Sequence, residues 1–233
     1  MKNCFEINAA SYRTSQNFFR SDGSFKRRLN EKFSIPQNFV IDAEEVIDAW
    51  FPNESYDIFI SYSHDDEALA MGIASTLEEK LKLKVFVDGL FWGSANDLIE
   101  KLQKNKELYL QDVLLAADHV HSMLASSILN VMKSSHVVFF INTKHSEFRF
   151  KNTSKTLSPW IFLERTFAKA MCPQKLLDRQ KILNEASAYK VVYTSPTSAD
   201  WKHVSLKQLE DWCELCEKSG IIKNNALSEW EKI

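Results

Sequence analysis

Glycine is scarce in this chain: only five occur in 233 residues. That argues against a glycine-rich phosphate cradle, and neither the P-loop nor the dinucleotide-binding fingerprint is present. Any nucleotide used here is held in another way. Cysteine is scarce too. Cys4, Cys172, Cys213 and Cys216 form no secreted-type disulfide framework, so they are read as thiols in a reducing compartment. No apolar run approaches membrane-spanning length, and Met1 to Thr14 lacks the basic-then-apolar pattern of a secretion signal. The expected location is the cytoplasm, with no membrane contact. A charge excess of one sign is also missing. The formal net charge is −2, and no face-wide surplus of Lys and Arg marks a nucleic-acid partner.

What is present reads as an alternating α/β chain. Apolar residues make up 45% and charged residues 26%, ordinary proportions for a globular domain. Residues 1–54 read as an N-terminal helical extension packed on a main domain spanning 55–233. In the extension, Phe25, Leu29 and Phe33 share a four-residue spacing and predict a short helix ended by Pro36. A second helix is predicted over Ala43 to Trp50. Ile58-Phe59-Ile60, Val85-Phe86-Val87 and Val137 to Ile141 are short continuous apolar runs, the mark of strands buried on both faces. A fourth strand is predicted at Val191-Val192-Tyr193.

Helices are predicted between these strands. Leu69, Ile73, Leu77 and Leu81 recur every four residues, as do Val120, Leu124, Ile128 and Met132. Leu98 to Leu115 is helix-compatible, and residues 89–135 read as a helical insertion. Asn142 to Pro159 reads as a polar loop, with a helix from Trp160 to Met171 after it and a last helix carrying Leu206, Leu209, Trp212, Cys213 and Cys216. Strands alternating with helices predict a doubly wound, flavodoxin-like parallel sheet. Ligands of such sheets sit at the carboxyl ends of the strands, here Tyr62-Ser63-His64, Asp88 and Asn142.

Three segments carry a family resemblance. Asp57-Ile58-Phe59-Ile60-Ser61-Tyr62-Ser63 and Val85-Phe86-Val87-Asp88 resemble the first two strands of TIR (Toll/interleukin-1 receptor-like) domains. Ser158 followed by Trp160-Ile161-Phe162-Leu163-Glu164 resembles the segment of enzymatic TIR domains that bears the catalytic glutamate. The resemblance covers roughly residues 55 to 195. Trp92-Gly93, His119-Val120-His121 and Ser158-Pro159-Trp160, with the leader, are similar to bacterial Thoeris-type antiphage defence proteins. It implies an enzyme that takes NAD as substrate and needs no other cofactor. Glu164 would be catalytic, and Tyr62, Ser63, Asp88 and Trp160 would bind the nucleotide. It also implies a homo-oligomer, a phage-derived trigger and a downstream effector activated by an ADP-ribose-derived product.

The chemistry of the residues supports this independently. Trp160 and Glu164 lie four apart and so share a helix face, where a Trp can desolvate the carboxylate and offer a flat surface to a ring. Nicotinamide leaves a cationic ring as a neutral base, so one carboxylate suffices where ordinary glycoside cleavage needs two.

Each residue also has a plainer reading. On spacing alone Glu164 is a solvated helix carboxylate, free or paired with a neighbouring Arg or Lys. Tyr62, Ser63 and Asp88 read equally as a strand-end aromatic, a turn serine and a turn or capping acid. Phe91 and Trp92 read as packing. Cys213 and Cys216 sit inside a helical stripe and read as core, not as a redox or zinc pair. His119 and His121 point to different sides of a helix and make no metal site, though either can line a pocket. Lys26-Arg27-Arg28 reads as a solvated face.

The chain departs from the TIR pattern twice. The long helical 89–135 stretch replaces a short loop, and Ser63-His64 stands where many relatives have an Arg. The other functional readings are a non-catalytic TIR scaffold and a phosphate receiver. The receiver needs an Asp at the end of the third strand, where this chain has Asn142.

Overall fold

Ile58–Ser61 is buried at every position, as a strand covered on both faces requires. The computed structural model describes residues 3–9, 54–88, 110–150, 153–171, 193–195 and 201–230, with a few isolated positions besides. The strands in chain order are β1 (Asn3–Asn8), β2 (Ile58–Ser61), β3 (Val85–Val87), β4 (Val137–Asn142), β5 (Phe148–Phe150), β6 (Thr153–Thr156), β7 (Tyr193–Thr194) and β8 (Lys202–Ser205). The helices are α1 (Glu67–Leu81), α2 (Leu110–Ser134), α3 (Pro159–Met171), α4 (Leu206–Lys218) and α5 (Asn224–Trp230).

Five strands form one sheet in the order β3-β2-β4-β1-β8. All its pairings are parallel, so every carboxyl end lies on the same edge. The architecture is α/β, compatible with a flavodoxin-like plan. Among the described residues no helix is long and apolar enough to cross a membrane.

Three sequence expectations are corrected here. The stretch 1–54, read as a helical extension, contributes β1 to the sheet interior, with Phe5 opposite Phe139 of β4 and Lys202 of β8. Glu6 interrupts the apolar run Cys4-Phe5-Ile7, and pairing on both sides, rather than local pattern, makes this segment a strand. Tyr193 does not continue the parallel sheet. It belongs to a three-stranded antiparallel sheet, β5-β6-β7, in which Thr156 pairs with Tyr193. The Asn142–Pro159 loop therefore contains a hairpin. β8 was not expected at all, because Val204 is its only buried residue. The predicted helix at Phe25–Phe33, the basic run Lys26-Arg27-Arg28, Phe91 and Trp92 lie outside the described residues, and of the predicted helix at Ala43–Trp50 only Glu44 and Ile47 are described, both helical.

Elsewhere the periodicity holds. Leu69, Ile73, Leu77 and Leu81 form the buried stripe of α1, which ends where Lys82 turns left-handed at φ 56. Val120, Leu124, Ile128 and Met132 are buried along α2, within the expected insertion. Cys213 and Cys216 are buried on α4, as the packing reading required. Helix α4 begins with a capping box in which Ser205 and Gln208 satisfy each other's backbone N–H.

The fully buried Trp230 of α5 closes the core. Its ring lies 5.1 Å from that of Phe5, 5.4 Å from Phe139 and 4.8 Å from Trp212. Trp212 donates from Nε1 to the carbonyl of Ala226 at 3.1 Å. The first strand and the last helix are thus locked together beneath the sheet.

Candidate active site

Helix α3 starts at Pro159, whose missing N–H costs nothing in a first turn, and the Ser158 hydroxyl accepts from the Ile161 N–H at 3.3 Å. Its buried residues are Ile161, Glu164, Arg165 and Ala168. This is an amphipathic stripe with spacing i, i+3, i+4, i+7, yet its centre holds two opposite charges. Charged side chains are rarely buried without partners. The partners of these two explain the site.

Glu164 is completely shielded from solvent. The Ser61 hydroxyl, at the end of β2, donates to its Oε2 at 2.5 Å. Asp88, the first residue after β3, is 3% exposed and donates its N–H to the Ile60 carbonyl at 3.4 Å beside Ser61, which sets its carboxyl facing that of Glu164. Two carboxylates cannot bond each other unless one carries a proton. Accordingly the Glu164 pKa is raised well above the carboxylate range. Burial is the main cause, followed by the charge of Asp88 and its hydrogen bond, while Ser61 and Arg165 pull the other way. The solvated-carboxylate reading of Glu164 is therefore excluded.

Tyr62 follows Ser61 and is 5% exposed, and its hydroxyl has no hydrogen-bond partner among the described residues. Burial holds the phenol strongly in its neutral form, with the charges of Asp88, Glu67 and Glu164 adding to the effect. A buried hydroxyl without a partner normally costs about 1–3 kcal/mol, so it signals a place for water or ligand.

The other expected residues lie further out. Ser63 is half-buried and precedes the short 3-10 turn His64–Asp66; its side chain makes no capping bond, and its carbonyl accepts from the Asp66 N–H at 2.7 Å. This turn is pinned to the end of β4, because the Thr143 hydroxyl donates to Asp66 Oδ2 at 2.5 Å. Trp160 is half-buried one turn before Glu164, its ring edge-on to that of His121 at 5.8 Å, which ties α3 to α2. His119 is exposed. The structure therefore brings Tyr62 and Asp88 together with Glu164, while Ser63 sits at the start of the neighbouring turn and Trp160 packs on His121. Among the described residues no group of His, Cys, Asp and Glu has the arrangement of a metal site.

Sequence reasoning missed Ser61 as a site residue, and it missed the cluster around Arg165. That guanidinium is 1% exposed, with Nη2 at 3.1 Å from Glu147 and 3.5 Å from Glu6. It lies over the rings of Phe140 and Trp201, at 5.0 and 5.5 Å from their centroids. Asn142 donates to Glu6 and Ser195 donates to Glu147. The signal available in the sequence was Glu6 itself, a charge inside an otherwise apolar strand run.

A buried carboxyl pair, a hydroxyl donor and an unsatisfied phenol thus converge at the carboxyl ends of two adjacent parallel strands. This is where such sheets bind ligands. No protein-family model, curated protein or solved structure matches the chain.

Proposed function

We propose that this chain is a TIR-type enzyme that breaks the nicotinamide–ribose bond of NAD, with Glu164 as its catalytic carboxylate. The observation that carries the reading is the burial of Glu164 at the strand ends, held by Ser61 and pressed by Asp88. A desolvated carboxyl is a strong partner for a developing cation. NAD presents a cationic ring at the scissile bond. Its arrival would favour the ionised form of Glu164, because a nearby positive charge lowers a carboxyl pKa. The carboxylate then stabilises the oxocarbenium-like ribose or bonds to it. Tyr62 supplies a neutral hydroxyl donor to the bound nucleotide, and Trp160 a flat ring surface beside it. Ser63 borders the same strand end.

Complete burial of Glu164 means that substrate enters only after the site opens. This fits an enzyme switched on by self-association or by a trigger in antiphage defence, with a product that acts on a downstream effector. The same burial favours the second reading, a non-catalytic TIR scaffold in which the carboxyl is structural. One experiment separates the two: NAD consumption with mass identification of products, for wild type and Glu164→Gln at high protein concentration and in lysate of phage-challenged cells. Consumption by wild type alone supports the enzyme, and the product mass distinguishes free ADP-ribose from a cyclic or conjugated form. Consumption by neither, with defence intact in the variant, establishes the scaffold.

A further inference from the structure

Cleavage of a cationic nicotinamide riboside requires one carboxylate, yet this site holds two carboxyl groups. Asp88 is nearly as deeply buried as Glu164. Its N–H donates to the Ile60 carbonyl at 3.4 Å and the residue after Ile60, Ser61, holds Glu164, so the two strand ends bring the carboxyls together. Among the described residues Arg165 is the cation that acts on the Glu164 carboxyl. Arg165 directs Nη2 to Glu6 and Glu147 instead. The groups facing the pair are Ser61 and Tyr62 from the end of β2, with Glu67 of α1 acting on Tyr62. Neither the Ser61 hydroxyl nor the Tyr62 phenol is a base that would take a proton from the pair. The phenol is neutral, and its hydroxyl has no partner within the described protein. The second carboxyl and this hydroxyl mark a site built to do more than steady a cation.

We propose that Asp88 and Glu164 form a proton-sharing pair that also cleaves N-ribosides of neutral bases, whose leaving group must be protonated. This rests on the same site as the NAD reading and extends its substrate class. In the first step the C1′–N bond breaks and its electron pair leaves with the base. The Asp88 carboxyl gives that base nitrogen its proton, and the Glu164 carboxylate forms a C1′–O bond. In the second step water attacks C1′ and gives its proton to the Asp88 carboxylate, and the bond to Glu164 breaks with its electrons returning to Glu164. The sum is riboside plus water giving ribose plus free base, with the pair restored. Where nicotinamide leaves, the first step needs no proton and Asp88 keeps its own. The proton of the attacking water then passes to solvent as the bond to Glu164 breaks, and the sum is NAD plus water giving ADP-ribose, nicotinamide and a proton. Tyr62 donates to a ribose oxygen in both cases.

The test compares base release from NAD, inosine and adenosine 5′-monophosphate by the full chain, across pH. Wild type is expected to release nicotinamide from NAD and purine from the neutral ribosides. Purine release falls as pH rises and the pair loses its proton, while nicotinamide release does not follow it. Asp88→Asn is expected to lower purine release about 10²–10⁴-fold, the usual contribution of a general acid, and nicotinamide release less than about tenfold. Equal loss of both would make Asp88 a structural residue and overturn the inference. If that variant does not fold, the wild-type comparison decides. Cleavage of NAD but not of the purine ribosides at any pH overturns the inference and leaves the NAD reading standing. Cleavage of the purine ribosides but not of NAD does the reverse. Cleavage of neither removes both.

Discussion

Glu164 and Arg165 are consecutive residues on one helix face, both sealed from water, and their surroundings treat them in opposite ways. Arg165 receives two carboxylates and two aromatic faces. Its charge is compensated, which is how a fold retains a buried ion for structure. Glu164 receives a hydroxyl donor and another acid. Its charge is opposed, and the opposition shifts its protonation. Electrostatic frustration of this kind is how functional sites tune a carboxyl, whereas compensation is how cores tolerate one. The lesson is that burial alone does not separate the two roles. The sign of the neighbours does.

The comparison predicts that the two neighbours respond differently to neutral replacement. Arg165→Met should destabilise the protein most, by about 3–5 kcal/mol, because Glu6 and Glu147 lose their cation inside the core. Glu164→Gln should leave stability near neutral pH unchanged or raised, since it relieves the repulsion from Asp88, while NAD cleavage is lost. Chemical denaturation of both variants checks this. A Glu164→Gln protein as unstable as Arg165→Met would make Glu164 a structural anchor.

Ser61→Ala sharpens the contrast at the level of one hydrogen bond. It removes the donor that favours the ionised carboxylate, and such bonds contribute about 1.5–3 kcal/mol. NAD cleavage should fall roughly 10- to 100-fold at about 1.4 kcal/mol per decade, with the pH optimum moved upward. An unchanged profile would remove Ser61 from the site.

The smallest effect is on stability against pH. The folded Glu164 holds its proton more tightly than the unfolded chain, whose value lies near 4.5. Its contribution to stability is therefore fully present below that pH. It is lost as pH rises toward the raised folded value, at no more than about 1.4 kcal/mol per pH unit. Melting temperature followed from acid to neutral should decline more steeply for wild type than for Glu164→Gln. Parallel curves would show that the pair carries no extra proton.

Much of this arrangement was legible beforehand. The runs at Ile58, Val85 and Val137 read as buried strands and are so, since a sheet covered on both faces demands continuous apolar sequence. The stripes of α1 and α2 are equally local. Strand β1 was hidden by Glu6, and β8 by exposed Lys202 and His203. Both are strands because of what pairs beside them. Tyr193 misled for the opposite reason. Its β-prone sequence is satisfied by a small antiparallel sheet and by stacking on Phe162 at 4.8 Å.

By itself the sequence determined the alternation of buried strands with amphipathic helices, and it put Glu164 one helical turn after Trp160. These follow from periods of two and 3.6 residues, which any short window reveals. Only the tertiary structure decided that Glu164 meets Ser61, 103 positions earlier in the chain, that Asp88 opposes it, and that Glu6 from the first strand serves Arg165. Such contacts depend on which strand lies beside which, and that choice is made by the packing of the whole sheet.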